Sequence, residues 1–315
     1  MQRLSLKVVE RHAVAEGVAS FILGDAHGKP LPSWSPGAHI AIRLPNGLTR
    51  QYSLCGKTED ALRYRIAVLN EQNGRGGSSH IHANLNAGEV VEAGEPVNHF
   101  NLEPGARYLF IAGGIGITPL LPMIYSVEAG GADWRLFYGA RDRHHIAFHD
   151  ELASFGDRVH FWPQDERGVL PLQDLVSTAG DALIYACGPG GMLDSLQAVC
   201  EQSGAGQRLR IERFSGTGLP EMPVGESSEF IAVVASTGQE VVVKPDQTLL
   251  NALLDAGVDA LFSCEEGTCG TCELKVIEGT PDHRDSILSE SQKQSGQYIM
   301  PCVSRALSGR IVLDI

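Results

Sequence analysis

Long hydrophobic runs are missing from this chain. Nowhere in its 315 residues does an apolar stretch approach the roughly 18 residues of a membrane-spanning helix. The opening segment, MQRLSLKVVERHAV, alternates apolar and polar residues and lacks the continuous apolar core of a secretory leader. A cytoplasmic location, with thiols kept reduced, is therefore expected. Positive charge is also scarce: 25 Lys and Arg face 38 Asp and Glu, a net charge of −13. That balance argues against nucleic acid or an anionic membrane as partner, and permits docking onto a basic protein surface. HHIAFH holds His144, His145 and His149 but lacks H-E-x-x-H, so these histidines, expected on one helix face, read as surface residues and not as a metal site.

What the chain does have is cysteine in one place. Of seven cysteines, Cys264, Cys269, Cys272 and Cys302 fall in the last fifth, spaced C-x4-C-x2-C, then 29 residues, then C. This is the plant-type spacing for a 2Fe–2S cluster, which needs two thiolates for each iron. Gly267 and Gly270 let a tight loop wrap inorganic sulfide, and the distant fourth cysteine closes the site. Zinc sites more often pair two C-x2-C units, and only Cys269 and Cys272 form one here. The last module is thus expected to carry electrons, with a zinc knuckle in a non-enzymatic protein as the alternative.

At 315 residues, two or three domains are expected. In the middle of the chain, RYLFIA (107–112) reads as a buried strand, followed by GGIGITP and an apolar helical stretch. Strand, glycine turn and helix make a phosphate cradle, although the motif is G-x-G and not G-x-G-x-x-G. WRLFYGA, VHFWP, ALIYACGP and RLRIERF recur at βα spacing, which predicts a parallel sheet with covering helices. The turn Cys187–Gly188–Pro189 ends one strand at the ligand-binding edge; Cys187 reads either as a residue beside a nicotinamide or as a small buried hydrophobe. Residues 4–100 carry short alternating runs punctuated by turn residues, as in an antiparallel barrel. There RQYSL places Arg50 and Tyr52 on one strand face, and Arg75, Gly76, Gly77 and Ser78 precede a short helix, a combination suited to a terminal phosphate.

RQYSL, RGGS, GGIGITP, CGP, IERF and the four cysteines, in this order, resemble the phthalate dioxygenase reductase family along the whole chain. The resemblance implies a multidomain protein: an antiparallel β-barrel flavin domain (1–102), an α/β parallel-sheet NAD-binding domain (103–217), a linker (218–228) and an α+β plant-type ferredoxin domain, β-grasp-like (229–315). It implies FMN, a 2Fe–2S cluster and NADH as electron source, a Rieske non-haem iron oxygenase as partner, and a monomer. By motif, Arg50, Tyr52 and Ser53 would contact the flavin, and Arg75, Gly77 and Ser78 its phosphate. Gly113, Gly114, Gly116 and Thr118 would line the pyrophosphate side, with Thr118 near the flavin, and Cys187, Gly188 and Pro189 would flank the nicotinamide. Phe214 would lie near the flavin ring; Tyr52, Cys187 and Phe214 are the expected shapers of hydride transfer. Cys264, Cys269, Cys272 and Cys302 would ligate the cluster. One departure is PVNHF, with Val97 where relatives carry arginine in P-R-N-x-F.

The implied module order is energetically sensible. Nicotinamide gives two electrons as hydride, the cluster accepts one, and a flavin does both. A plant-type cluster near −400 mV feeding a Rieske centre above about −150 mV favours forward transfer by roughly four orders of magnitude. Arg141 and Arg143 could receive the 2′-phosphate of NADPH, but Asp165 and Glu166 would oppose it, so NADH is expected. From residue 226 onward 14 Asp and Glu face 6 Lys and Arg, an acidic surface that would either dock onto a basic partner or be merely solvated. The DHRD turn (282–285) is expected to be salt-bridged. The rival oxidoreductase is an FAD-dependent NAD(P)H reductase of a cytochrome or free ferredoxin; a self-sufficient oxygenase is a third possibility, but the sequence holds no pair of Rieske C-x-H and C-x2-H motifs.

Overall fold

Two hydrophobic patterns run along the chain, and they build two kinds of sheet. The computed structural model describes residues 3–44, 49–71, 76–214, 228–262, 265, 267, 270–288 and 290–315. It divides into two compact units, Met1–Glu212 and Arg213–Ile315.

In the first unit, alternating strands come first: β1 (Arg3–Ala15), β2 (Val18–Asp25), β3 (His39–Arg43), β4 (Thr49–Ser53), β5 (Arg63–Leu69), helix α1 (Gly77–Asn84) and β6 (Val90–Gly94). They form an antiparallel sheet in the order β4-β3-β6-β1-β2-β5. Past β4, Cys55 N–H donates to Arg65 O at 2.8 Å, so the chain leaving one edge returns to the other and the sheet curls into a barrel. Leu6, Phe21, Leu23, Ile40, Ile42 and Ile66 fill it, alternate residues of each strand pointing inward.

The second pattern follows: β7 (Arg107–Gly113), α2 (Ile117–Ala129), β8 (Asp133–Ala140), α3 (His149–Ala153), β9 (Val159–Pro163), α4 (Gln164–Arg167), α5 (Leu172–Ser177), β10 (Leu183–Cys187), α6 (Gly190–Gln202) and β11 (Leu209–Glu212). All five strands are parallel, ordered β11-β10-β7-β8-β9. β7 buries six consecutive residues, as a strand covered on both faces must. His144 and His145 sit in a tight turn capped by Asp142, and His149 opens α3, so the three histidines do not share the helix face expected of them. Asp142 accepts the N–H groups of both His144 and His145 and fixes the turn.

Barrel and parallel sheet share one apolar cluster, in which Val18, Cys55 and Ala67 meet Leu120, Met123 and Ile124 of α2. A polar clamp crosses the same seam. Arg65 on β5 bonds Glu151 on α3 with both terminal nitrogens (3.0 and 3.2 Å), Tyr125 Oη on α2 (3.0 Å) and Cys55 O (2.6 Å). Its guanidinium lies 4.8 Å from the Phe148 ring centre, and Tyr125 also bonds Glu151.

The second unit contains β12 (Phe230–Val234), β13 (Glu240–Val243), α7 (Leu249–Asp255), β14 (Leu274–Glu278), β15 (Pro281–Asp282), α8 (Glu290–Ser295), β16 (Tyr298–Ile299), β17 (Arg305–Ala306) and β18 (Arg310–Asp314). Its mixed sheet runs β13-β12-β18-β14-β16, with β12 and β18 parallel, and α7 buries Leu249, Ala252 and Leu253 in the same core. The expected linker lies outside the described residues except for residue 228.

Removing one partner from the clamp leaves a partly buried ion without its counter-charge. Glu151→Ala is expected to destabilise the first unit by about 2–3 kcal/mol, lowering its thermal midpoint by roughly 5–10 °C. Calorimetry that finds the midpoint unmoved would show the clamp to be dispensable.

Candidate functional site

The parallel sheet has a single reversal of strand order. From β7 the chain moves outward through β8 and β9, then returns to the other flank of β7 as β10 and β11. Ligands of such sheets bind beyond the carboxyl ends of the strands at that reversal. The Gly113–Gly116 turn after β7 and the Cys187–Pro189 turn after β10 both lie there.

The two turns abut more closely than any side chain permits. A β-carbon on Gly116 would stand 2.2 Å from Cys187 O, and one on Gly113 would stand 2.5 Å from Pro189 Cδ. One on Gly188 would stand 2.9 Å from Gly113 Cα. Gly113 and Gly116 therefore serve turn-to-turn packing. Gly114 is the open position, at φ +53° with nothing within 4 Å of the place for a β-carbon, and it is the glycine whose backbone a pyrophosphate can approach. Thr118 is buried and its hydroxyl donates to Ile115 O at 2.9 Å, which closes the turn from within.

Cys187 is fully buried, and burial pushes its thiol well above the ordinary value, with Glu212 adding to the effect. It stays a neutral thiol at pH 7, which excludes a thiolate nucleophile and leaves a small polarisable wall. Glu212 faces Cys187 across the β10–β11 pairing. The residue is half-buried, but its Oε2 is shut off from solvent and has no hydrogen-bond partner among the described residues. Burial alone raises its carboxyl to about 8. Glu212 was not among the expected site residues; the available signal was an acidic residue ending the strand beside CGP. Phe214 is 43% exposed and stands at the start of the second unit.

On the barrel, Arg50, Tyr52 and Ser53 share β4. Arg50 lies across the start of α1: a β-carbon on Gly77 would meet its Cγ and Nε at 2.8 Å. Gly76 enters the helix at φ +82°, and no acidic residue occupies the first turn. An arginine over a helix N-terminus fits an anionic group such as a flavin phosphate. Ser78 Oγ accepts the N–H of Glu71 at 3.1 Å; Arg75 lies outside the described residues. Tyr52 packs on the barrel core, and burial holds its hydroxyl well above the ordinary value against the opposing charge of Arg50, so it is a neutral donor. Val97, standing where arginine was expected, pairs its backbone with His39 in both directions at 2.9 Å.

In the second unit, Cys272 and Cys302 are buried with sulfurs 3.3 Å apart. That exceeds a disulfide's roughly 2.05 Å and brings two thiols within reach of one metal ion. Cys264 and Cys269 lie outside the described residues. Gly267 (φ +68°) and Gly270 (φ +73°) take the expected left-handed turns, and Glu265 does so without being glycine. DHRD is the expected salt-bridged turn, Arg284 bonding Asp282 at 2.6 and 2.8 Å. The turn also braces the cysteine loop: Ser286 N–H donates to Gly267 O, while Asp285 is buried against the place for a Gly267 β-carbon.

Comparison with known proteins agrees with this architecture. Residues 110–198 match the oxidoreductase NAD-binding domain and 232–307 the 2Fe–2S iron–sulfur cluster binding domain. The chain is 40% identical over 308 residues to the toluene-4-sulfonate monooxygenase system reductase subunit of Comamonas testosteroni, covering 96% of each. It is 35% identical to phthalate dioxygenase reductase of Burkholderia cepacia, covering 99% of this chain and 97% of the relative. A solved phthalate dioxygenase reductase, 33% identical, superposes with a TM-score of 0.73 over 99% of this chain and 98% of that one. An intact type IV self-sufficient cytochrome P450 monooxygenase, 38% identical, superposes with a TM-score of 0.92, this chain spanning 41% of its length. Fold and site thus define an oxidoreductase with an NAD-binding domain followed by a 2Fe–2S domain. The chain belongs to the phthalate dioxygenase reductase family.

Glu212 makes stability depend on pH. The folded state holds its proton up to about pH 8, whereas the carboxyl ordinarily titrates at 4.5. Its protonated form therefore supports the fold fully below about 4.5, and that support is lost as pH rises through 8. Urea unfolding between pH 5.5 and 8.5 is expected to show the wild type losing ground to Glu212→Gln as pH rises; parallel curves would contradict it.

Proposed function

We propose that this chain is the reductase component of an oxygenase system, taking electrons from NADH through FMN and a 2Fe–2S cluster to a Rieske-type non-haem iron partner, and working as a cytoplasmic monomer. The observation that carries this reading is the buried Cys272–Cys302 pair, 3.3 Å apart, in a module that follows a dinucleotide-binding one. Bound flavin supplies the conversion between a two-electron donor and a one-electron acceptor.

The chain's own residues position and insulate. Arg50, Arg75, Gly77 and Ser78 hold the flavin phosphate, and Tyr52 and Ser53 contact the flavin. Gly113, Gly114, Gly116 and Thr118 form the turn that receives the pyrophosphate. Cys187, Gly188 and Pro189 flank the nicotinamide, Phe214 lies near the flavin ring, and Cys264, Cys269, Cys272 and Cys302 ligate the cluster. Cys187 and Glu212 present neutral groups at the reacting edge, so no fixed charge of theirs opposes the transfer of hydride. Leu261 and Phe262, exposed just before the cysteine loop, with exposed Asp259, Glu265 and Glu273 nearby in sequence, give the apolar centre and acidic rim of a docking face for a basic partner. A haem protein is the second reading of the partner, favoured by the superposition on the cytochrome P450 monooxygenase.

Protein purified without oxygen is expected to release FMN on denaturation and to contain iron and acid-labile sulfide in equal amounts, with Cys272→Ser losing the cluster's visible absorbance. FAD on mass analysis, or zinc in place of iron, would overturn the assignment. Reduction of the oxygenase partner is expected to slow by about tenfold as salt rises from roughly 0.05 to 0.5 M. A salt-independent rate would remove the acidic docking face while leaving the electron route intact.

A further inference from the structure

The carboxyl ends of β8 and β9 lie on the side of the glycine turn away from β10. A dinucleotide with its pyrophosphate at Gly114 and its nicotinamide toward Cys187 sends its adenosine half to that side. There, two charged residues from successive strand ends are locked together. Arg143 Nε and Nη2 donate to Glu166 Oε1 and Oε2 at 2.5 and 2.8 Å. Arg143 lies just past β8 and Glu166 in α4 just past β9, and the two connections are fastened by Asp165 N–H donating to Arg141 O at 3.1 Å. Asp165 adds a second negative charge within electrostatic reach of Arg143. Arg167, the one basic residue of α4, lies over the Trp162 ring at 5.1 Å.

A guanidinium grips a phosphate with the same paired nitrogens that grip a carboxylate. Glu166 therefore fills the fork that a ribose 2′-phosphate would need, and it confronts that dianion with like charge. The pair is exposed at 64% and 41%, so its own attraction is weak and a stronger anion could displace an uncharged substitute. We propose that Glu166 is the specificity-determining residue that bars a 2′-phosphorylated dinucleotide, with Arg143 as the seat that such a phosphate would otherwise take. This rests on reading the chain as a nicotinamide-dependent reductase.

The test uses the flavin-loaded full chain as wild type, Glu166→Gln and Glu166→Gln/Arg143→Ala. In calorimetry, 2′-AMP is expected to bind Glu166→Gln about tenfold more tightly than wild type, a gain that the double variant loses. With ferricyanide as acceptor, the ratio of kcat/KM for NADPH to that for NADH is expected to rise about tenfold, through a lower KM for NADPH, and to fall back in the double variant. Unchanged 2′-AMP affinity in Glu166→Gln, or a gain that survives loss of Arg143, overturns the proposal. A wild type that oxidises neither dinucleotide overturns the reductase reading instead, and the 2′-AMP arm still decides the seat.

Discussion

The dinucleotide side of this protein depends on one steric constraint, the absence of room between the turns that cap β7 and β10. With Gly116 against Cys187 O and Gly113 against Pro189, neither position admits a side chain without collision. Overpacking of this kind ordinarily costs about 1–3 kcal/mol even where side chains can yield, and here the opposing atoms include backbone. The turns cap β7 and β10, which pair in parallel, and the pairing of β11 with β10 brings Glu212 alongside Cys187. A row thus runs from Gly116 through Cys187 to Glu212.

Electrostatically, three groups of the first unit resemble one another. Tyr52, Cys187 and Glu212 all titrate above their ordinary values, each chiefly because burial disfavours the charged form. At neutral pH all three are uncharged. Charge instead sits where the proposed reading has an anion held, as at Arg50 over α1, or refused, as at Glu166. The division suits chemistry in which a hydride moves between two rings and the protein has no proton to take.

Most of the architecture was legible because it is local. β7, β8, β9 and β10 were apolar runs bounded by turns, and the four cysteines announced their module by spacing alone. β6 escaped because VVEAG is too short and too polar to alternate convincingly. The site was less legible where its logic is lateral. Glu212 becomes notable only once β11 lies beside β10, and Gly113 and Gly116 change roles only once the CGP turn is seen against them. Arg143 and Glu166 stand 23 residues apart; sequence could set one against the other but could not show them bonded.

The clamp around Arg65 bears on how such a chain may be taken apart. Its cation belongs to the barrel, while its carboxylate and phenol belong to the parallel sheet. Cutting between them would strand a guanidinium beneath α2 and expose the apolar seam it crosses, so neither fragment should be soluble by itself. Gene fusions, truncations and swaps of electron-transfer modules should therefore be made beyond Phe214, with the first 212 residues treated as one indivisible cassette.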